Sequence, residues 1–96
     1  MKGLLDGKTI IITGAGSNVG RAAEHLFLTH GARLALVDRD VSRISTTSDS
    51  PSDSRLVIAA DLTDAAANER MVGQALAHFG RIDGLCNTFG IDPPTA

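Results

Sequence analysis

The chain has 96 residues and a formal net charge of −2, with nine Lys and Arg against eleven Asp and Glu. That length supports one small core, and the lack of any basic cluster argues against nucleic acid as the main partner. A single cysteine, Cys86, excludes an internal disulfide framework, and no apolar run approaches the roughly 18 residues that would read as a membrane span.

The Met1–Asp6 segment is too short and too soon interrupted to read as a secretory signal, so the expectation is a cytoplasmic, reducing compartment. Ile10, Ile11 and Ile12 form a buried first strand. Gly14, Gly16 and Gly20 then make a turn into a helix that starts near Val19. Small residues let the backbone approach a ligand, and the first N–H groups of a helix attract an anion. The spacing is Gly-x-Gly-x-x-x-Gly, which differs from the Gly-x-Gly-x-x-Gly fingerprint. It is not a P-loop either, because Arg21 follows Gly20. Alone, such a turn suits a phosphate site or a purely structural role. Val19, Ala22, Ala23, Leu26, Phe27 and His30 recur at helical steps, and Gly31 stops the helix.

Arg33–Val37 is the second strand, ending at Asp38. Strand, helix and strand make a βαβ unit with parallel strands. Asp40–Ile44 is compatible with one helical turn, and the serine-rich stretch that follows reads as a solvated linker. A flexible loop over about 42–54 thus replaces most of the next crossover helix. Leu56–Ala60 is the third strand, followed by Asp61. Thr63 or Asp64 caps a helix running to about Phe79, with Met71, Val72, Ala75, Leu76 and Phe79 on its buried face. Asp83–Asn87 is the fourth strand, with Cys86 a small apolar core residue, and 88–96 form a loop and tail.

The predicted fold is a single α/β domain over 1–96, a partial Rossmann-like parallel sheet of order 3-2-1-4 with helices on its faces. Its crevice lies at the carboxyl ends of the first and fourth strands, where the strand order reverses. The Gly14–Gly20 turn, Asp38, Asp61 and the Asn87–Gly90 stretch all fall on that edge. Four polar or glycine features meeting there favour a nucleotide site more than the turn alone does.

Thr13-Gly-Ala-Gly-Ser-Asn-Val-Gly20, Asp61-Leu62 and the run from Phe79 to Gly90 resemble the amino-terminal half of the short-chain dehydrogenase/reductase family, over roughly Leu5 to Gly90. Asn18 stands where that family usually has its middle glycine, and Thr88 and Phe89 depart from its Asn-Asn-Ala-Gly pattern. The resemblance implies a dinucleotide held by Gly14, Gly16, Ser17, Asn18, Val19, Gly20, Asp38, Arg39, Asp61, Leu62, Asn87 and Gly90. Asp38 would accept hydrogen bonds from the adenosine ribose and repel a 2′-phosphate, which favours NAD over NADP. Arg39 beside it pulls the other way. Asn18 enters left-handed backbone geometry at low cost, so it need not break the turn.

The family's catalytic set is a tyrosine, a lysine four residues on and a serine. This sequence has no tyrosine, no lysine after Lys8 and no serine after Ser54. The expectation is therefore the NAD(H)-binding portion of an oxidoreductase that moves hydride between nicotinamide and an alcohol or carbonyl substrate. Its catalytic half would be absent, and neither catalytic nor metal-ligating residues are assigned. The alternative is a non-catalytic nucleotide-binding or interaction module. Expected partners are the dinucleotide and either a missing carboxyl-terminal half or a second copy on the exposed fourth strand. Neither nucleic acid nor a membrane is expected.

Overall fold

The computed structural model describes residues 3–44 and 54–88. Its elements are β1 (Thr9–Thr13), α1 (Asn18–Thr29), β2 (Arg33–Asp38), β3 (Arg55–Ala59), α2 (Ala65–Phe79) and β4 (Gly84–Asn87). The sheet order is β3-β2-β1-β4, and every pairing is parallel. β1 lies inside the sheet, where its Thr-Ile-Ile-Ile-Thr sequence suits a strand buried on both faces. Ile11 sits between Ala35 and Leu85, and Ile12 between Leu36 and Cys86.

Successive strand residues point to opposite faces, so the two isoleucines enter different cores. Ile11, Ala35, Val37 and Ile58 pack with Ala67, Met71 and Ala75 of α2. Ile12, Leu34 and Leu36 form the opposite core, joined by Ala23, Phe27 and Leu28 of α1. Cys86 is half-buried against this second core, in the small apolar role its strand position predicts. Among the described residues, no helix is long and apolar enough to cross a membrane.

Ala23 and Phe27 of α1 and Met71, Ala75 and Phe79 of α2 lie inward as expected, but both buried faces are turned away from the other expected residues. In α1, Val19 and Leu26 are 50% and 53% exposed, whereas Glu24 is only 7% exposed. The inward row is Gly20, Ala23, Glu24, Phe27 and Leu28. A carboxylate occupies an inward position because Arg55 Nε of β3 donates to Glu24 Oε2 at 2.8 Å. That pairing makes burial of the charge tolerable and hides the stripe from a reading of apolar residues alone. In α2 the buried row is Ala67, Met71 and Ala75, with Phe79 half-buried, while Val72 and Leu76 stay exposed.

The segment after β2 starts with the single helical turn expected over Asp40–Ile44. Val41–Arg43 form a single 3-10 turn, capped by Asp40 accepting from Ser42 N, and Ile44 is buried in the α1-side core. Residues 45–53 of the expected loop lie outside the described residues. At the amino end of the sheet, Asp83 Oδ2 accepts from Thr9 N at 2.8 Å and Oδ1 accepts from Arg81 Nη2 at 2.6 Å. The Arg81 guanidinium first, and then the Thr9 N–H, hold the Asp83 carboxyl below the usual carboxylate range.

Removing one member of a largely buried ion pair costs more than replacing both members with apolar groups of similar volume. Glu24→Ala is therefore expected to destabilise the fold by about 3 kcal/mol. The double replacement Glu24→Leu with Arg55→Leu is expected to recover most of that loss. Urea denaturation of the three proteins measures it.

Candidate cofactor site

The turn between β1 and α1 is closed by hydrogen bonds that leave few of its groups unused. Gly14 has a φ of 70°, a left-handed conformation that a side chain disfavours. Ala15 N donates to Val37 O at 3.0 Å, which fastens the turn to β2. Gly16 N donates to Asp38 Oδ2 at 2.8 Å. A Cβ on Gly16 would lie 2.5 Å from Arg43 Cβ and 2.9 Å from that carboxylate oxygen, so only glycine fits between them.

Ser17 is the N-cap of α1. Its Oγ donates to Gly14 O at 2.7 Å and accepts from Gly20 N at 2.9 Å. A Cβ on Gly20 would collide with the same Gly14 carbonyl. The first four amides of a helix lack intrahelical acceptors. With Ser17 as N-cap, those amides belong to Ser17, Asn18, Val19 and Gly20, and Ser17 and Gly20 are satisfied by Gly14 O and Ser17 Oγ. The Asn18 and Val19 amides have no acceptor among the described residues, and they lie at the positive end of the helix dipole. Asn18 does not use the left-handed geometry that sequence reasoning allowed it. It is the first helical residue, and among the described residues only glycines have positive φ.

The other predicted residues lie at or just beyond the ends of the strands. Asp38 ends β2, with Oδ2 on Gly16 N and Oδ1 accepting from Asp40 N at 3.0 Å. Arg39 is exposed. Asp61 follows β3 and is exposed, and its Oδ1 accepts from Thr63 Oγ1 at 2.7 Å and Thr63 N at 3.0 Å. These Thr63 bonds, and secondarily the Arg39 charge, hold the Asp61 carboxyl below its ordinary value. Leu62 is half-buried against the α2-side core. Asp64, of the two candidates, is the N-cap of α2. Asn87 ends β4, where Oδ1 accepts from Thr13 Oγ1 at 2.7 Å. Gly90 and Phe89 lie outside the described residues. Among those that are described, no group of three His, Cys, Asp or Glu side chains is placed to hold a metal ion.

Two contacts of the turn escape a sequence reading: the packing of the 3-10 turn on Gly16, and Thr88. The 3-10 turn backs onto Gly16 and is tied to α1 by Arg21 Nη2, which donates to Arg43 O at 3.2 Å. Its sequence signal is Ile44, a large aliphatic side chain among polar ones. Thr88 is 5% exposed and places its Oγ1 2.6 Å from Thr13 O and 2.9 Å from Gly14 O. The signal for Thr88 is a hydroxyl immediately after the strand that pairs with β1.

A family model described as short chain dehydrogenase matches residues 8–96. The chain belongs to that family. The sequence is 37% identical over 83 residues to a sorbitol dehydrogenase of Cereibacter sphaeroides, covering 86% of the chain and 32% of the relative. It is 36% identical to a levodione reductase of Leifsonia aquatica, covering 88% and 34%. Among solved structures, it is similar to a 3-ketoacyl-(acyl-carrier-protein) reductase from Brucella melitensis complexed with NADH. That match has a TM-score of 0.77 and 37% identity, and covers 84% of this chain and 33% of the other. The N-domain of a bacterial malonyl-CoA reductase with NADP matches with a TM-score of 0.79 at 27% identity, covering 86% and 16%. The chain thus spans about a third of the length of the curated relatives named here.

Because the atom facing Gly20 is a backbone oxygen, a methyl group there forces the turn itself to move. Gly20→Ala is expected to cost roughly 1–3 kcal/mol, the usual penalty of an overpacked site. A thermal melt against wild type and Gly73→Ala, an open helical position, checks this.

Proposed function

We propose that this chain is the dinucleotide-binding portion of a short-chain dehydrogenase/reductase oxidoreductase and that it prefers NAD(H). The observation that carries the reading is the pair of spare amides on Asn18 and Val19, with the Asp38 carboxylate fastened to the same turn through Gly16. An anionic diphosphate seated on those amides would complete the hydrogen bonding of the helix terminus. Gly14, Gly16, Ser17 and Gly20 shape that seat.

Each Asp38 oxygen accepts one backbone N–H and keeps a further lone pair. Those lone pairs would take the two ribose hydroxyls, and the carboxylate charge would repel a 2′-phosphate. Solved relatives with NADH and with NADP both resemble this chain, so the cofactor preference rests on Asp38 itself. Arg39 is near enough to Asp61 for its charge to help lower that carboxyl. Asp61 and Leu62 would border the adenine, and Asn87 with Gly90 would close the crevice on the β4 side.

When bound, the nicotinamide would give or take a hydride, and the substrate's alcohol or carbonyl would be the other party. No residue of this chain is assigned to acid–base catalysis: there is no tyrosine, and no lysine follows Lys8. We place those groups in a carboxyl-terminal half that would also cover the open side of β4. Leu85 of β4 is 62% exposed, and among the described residues β4 has one strand neighbour, β1. The same absence of that tyrosine and lysine supports a second reading, a non-catalytic nucleotide-binding or interaction module. The single cysteine fits a cytoplasmic setting for either.

Fluorescence titration with NADH and NADPH tests the cofactor assignment. NADH is expected to bind at least about tenfold more tightly, about 1.4 kcal/mol. Asp38→Asn keeps an acceptor for Gly16 N but removes the charge, and is expected to erase most of that preference. A wild-type preference for NADPH would overturn the assignment.

A further inference from the structure

Thr88 joins two parts of the fold that the chain itself does not connect. It follows β4, yet its Oγ1 lies within hydrogen-bonding distance of Thr13 O, Gly14 O and Ser17 Oγ, at 2.6, 2.9 and 3.3 Å. All three partners belong to the β1–α1 turn. Its backbone N–H also donates to Thr13 O at 3.1 Å. No other side chain from outside that turn reaches both the Gly14 carbonyl and the N-cap hydroxyl among the described residues.

The hydrogen-bond inventory gives this contact a consequence. A threonine hydroxyl has one proton and two lone pairs. Directed to a carbonyl, that proton holds the end of β1, and the oxygen beside Ser17 Oγ keeps acceptor capacity. Ser17 Oγ in turn orients Gly20 N, and Ser17 O orients Arg21 N. The aim of the two remaining amides, Asn18 and Val19, therefore follows from where Gly14 O and Ser17 are held.

We infer that Thr88 is a positioning residue for the diphosphate seat, holding the N-cap so that the spare amides converge on one anion. The inference rests on the cofactor reading above. Thr88 would not touch the ligand and would act through Gly14 and Ser17. It also joins the seat to the end of β4.

Removing the hydroxyl leaves neither carbonyl unpaired. Thr13 O keeps the Thr88 N–H, and Gly14 O keeps Ser17 N and Ser17 Oγ. The effect should therefore appear in ligand binding more than in folding. The experiment measures NADH, ADP and adenosine affinities, together with thermal melts, for wild type, Thr88→Val, Thr88→Ala and Thr88→Ser. Adenosine carries the ribose and base but no phosphate. Thr88→Val and Thr88→Ala are expected to weaken NADH and ADP roughly fivefold, the scale of one lost hydrogen bond, and to leave adenosine unchanged. Thr88→Ser is expected to restore wild-type affinities. Equal weakening of all three ligands, unchanged ADP affinity, or a Ser variant as weak as the Val variant would each overturn the inference. A wild-type chain that binds neither NADH nor ADP overturns the cofactor reading and this inference together. Binding with variants indistinguishable from wild type overturns this inference alone.

Discussion

The Gly14 carbonyl oxygen is the point on which the carboxyl edge of the sheet depends. Ser17 N, Ser17 Oγ and Thr88 Oγ1 all reach it, and the absence of a side chain at Gly20 lets α1 start directly beside it. Because these bonds are internal, the turn does not rely on a ligand to hold its shape. They also decide which polar groups stay available: of the four amides from Ser17 to Gly20, two are consumed, and those of Asn18 and Val19 have no acceptor among the described residues. An arrangement set before a ligand arrives lowers the ordering cost of binding.

The parallel sheet brings the remaining parts to the same edge. Since every strand runs the same way, the residue that ends each strand falls on one side of the molecule. Thr13, Asp38 and Asn87 end β1, β2 and β4, and Asp61 comes shortly after β3. The two cores fix this alignment by locking the register of Ile11 and Ile12 into opposite faces. Where cover is thinner the apolar surface changes character, with Val72, Leu76 and Leu85 exposed around α2 and β4. Glu24 and Arg55 fasten the other edge, since their ion pair joins α1 to β3.

Those features that depend on a chain's own neighbours were legible in the sequence. The isoleucine run, the glycines and the apolar strands predict the order β3-β2-β1-β4, and the strand ends predict which polar residues share an edge. What escaped depends on partners distant in sequence. Glu24 is buried because Arg55 lies 31 residues away in the chain and beside it in space. A periodicity argument that counts only apolar residues shifts the α1 stripe toward Val19 and Leu26 for that reason. Thr88 is another case, a hydroxyl whose role appears only when β4 pairs with β1. Asn18 looked like a candidate for left-handed geometry because it occupies a position the family pattern gives to glycine. In the folded chain the helix simply begins one residue before Val19, and Ser17 does the capping.

The central claim is that the Asn18 and Val19 amides are the seat of a diphosphate. Amide NMR of the chain during titration with ADP, and separately with adenosine, tests it most directly. The account predicts that the Asn18 and Val19 resonances shift and saturate together with ADP while adenosine leaves them in place. Saturable ADP binding that leaves both amides unmoved would contradict it.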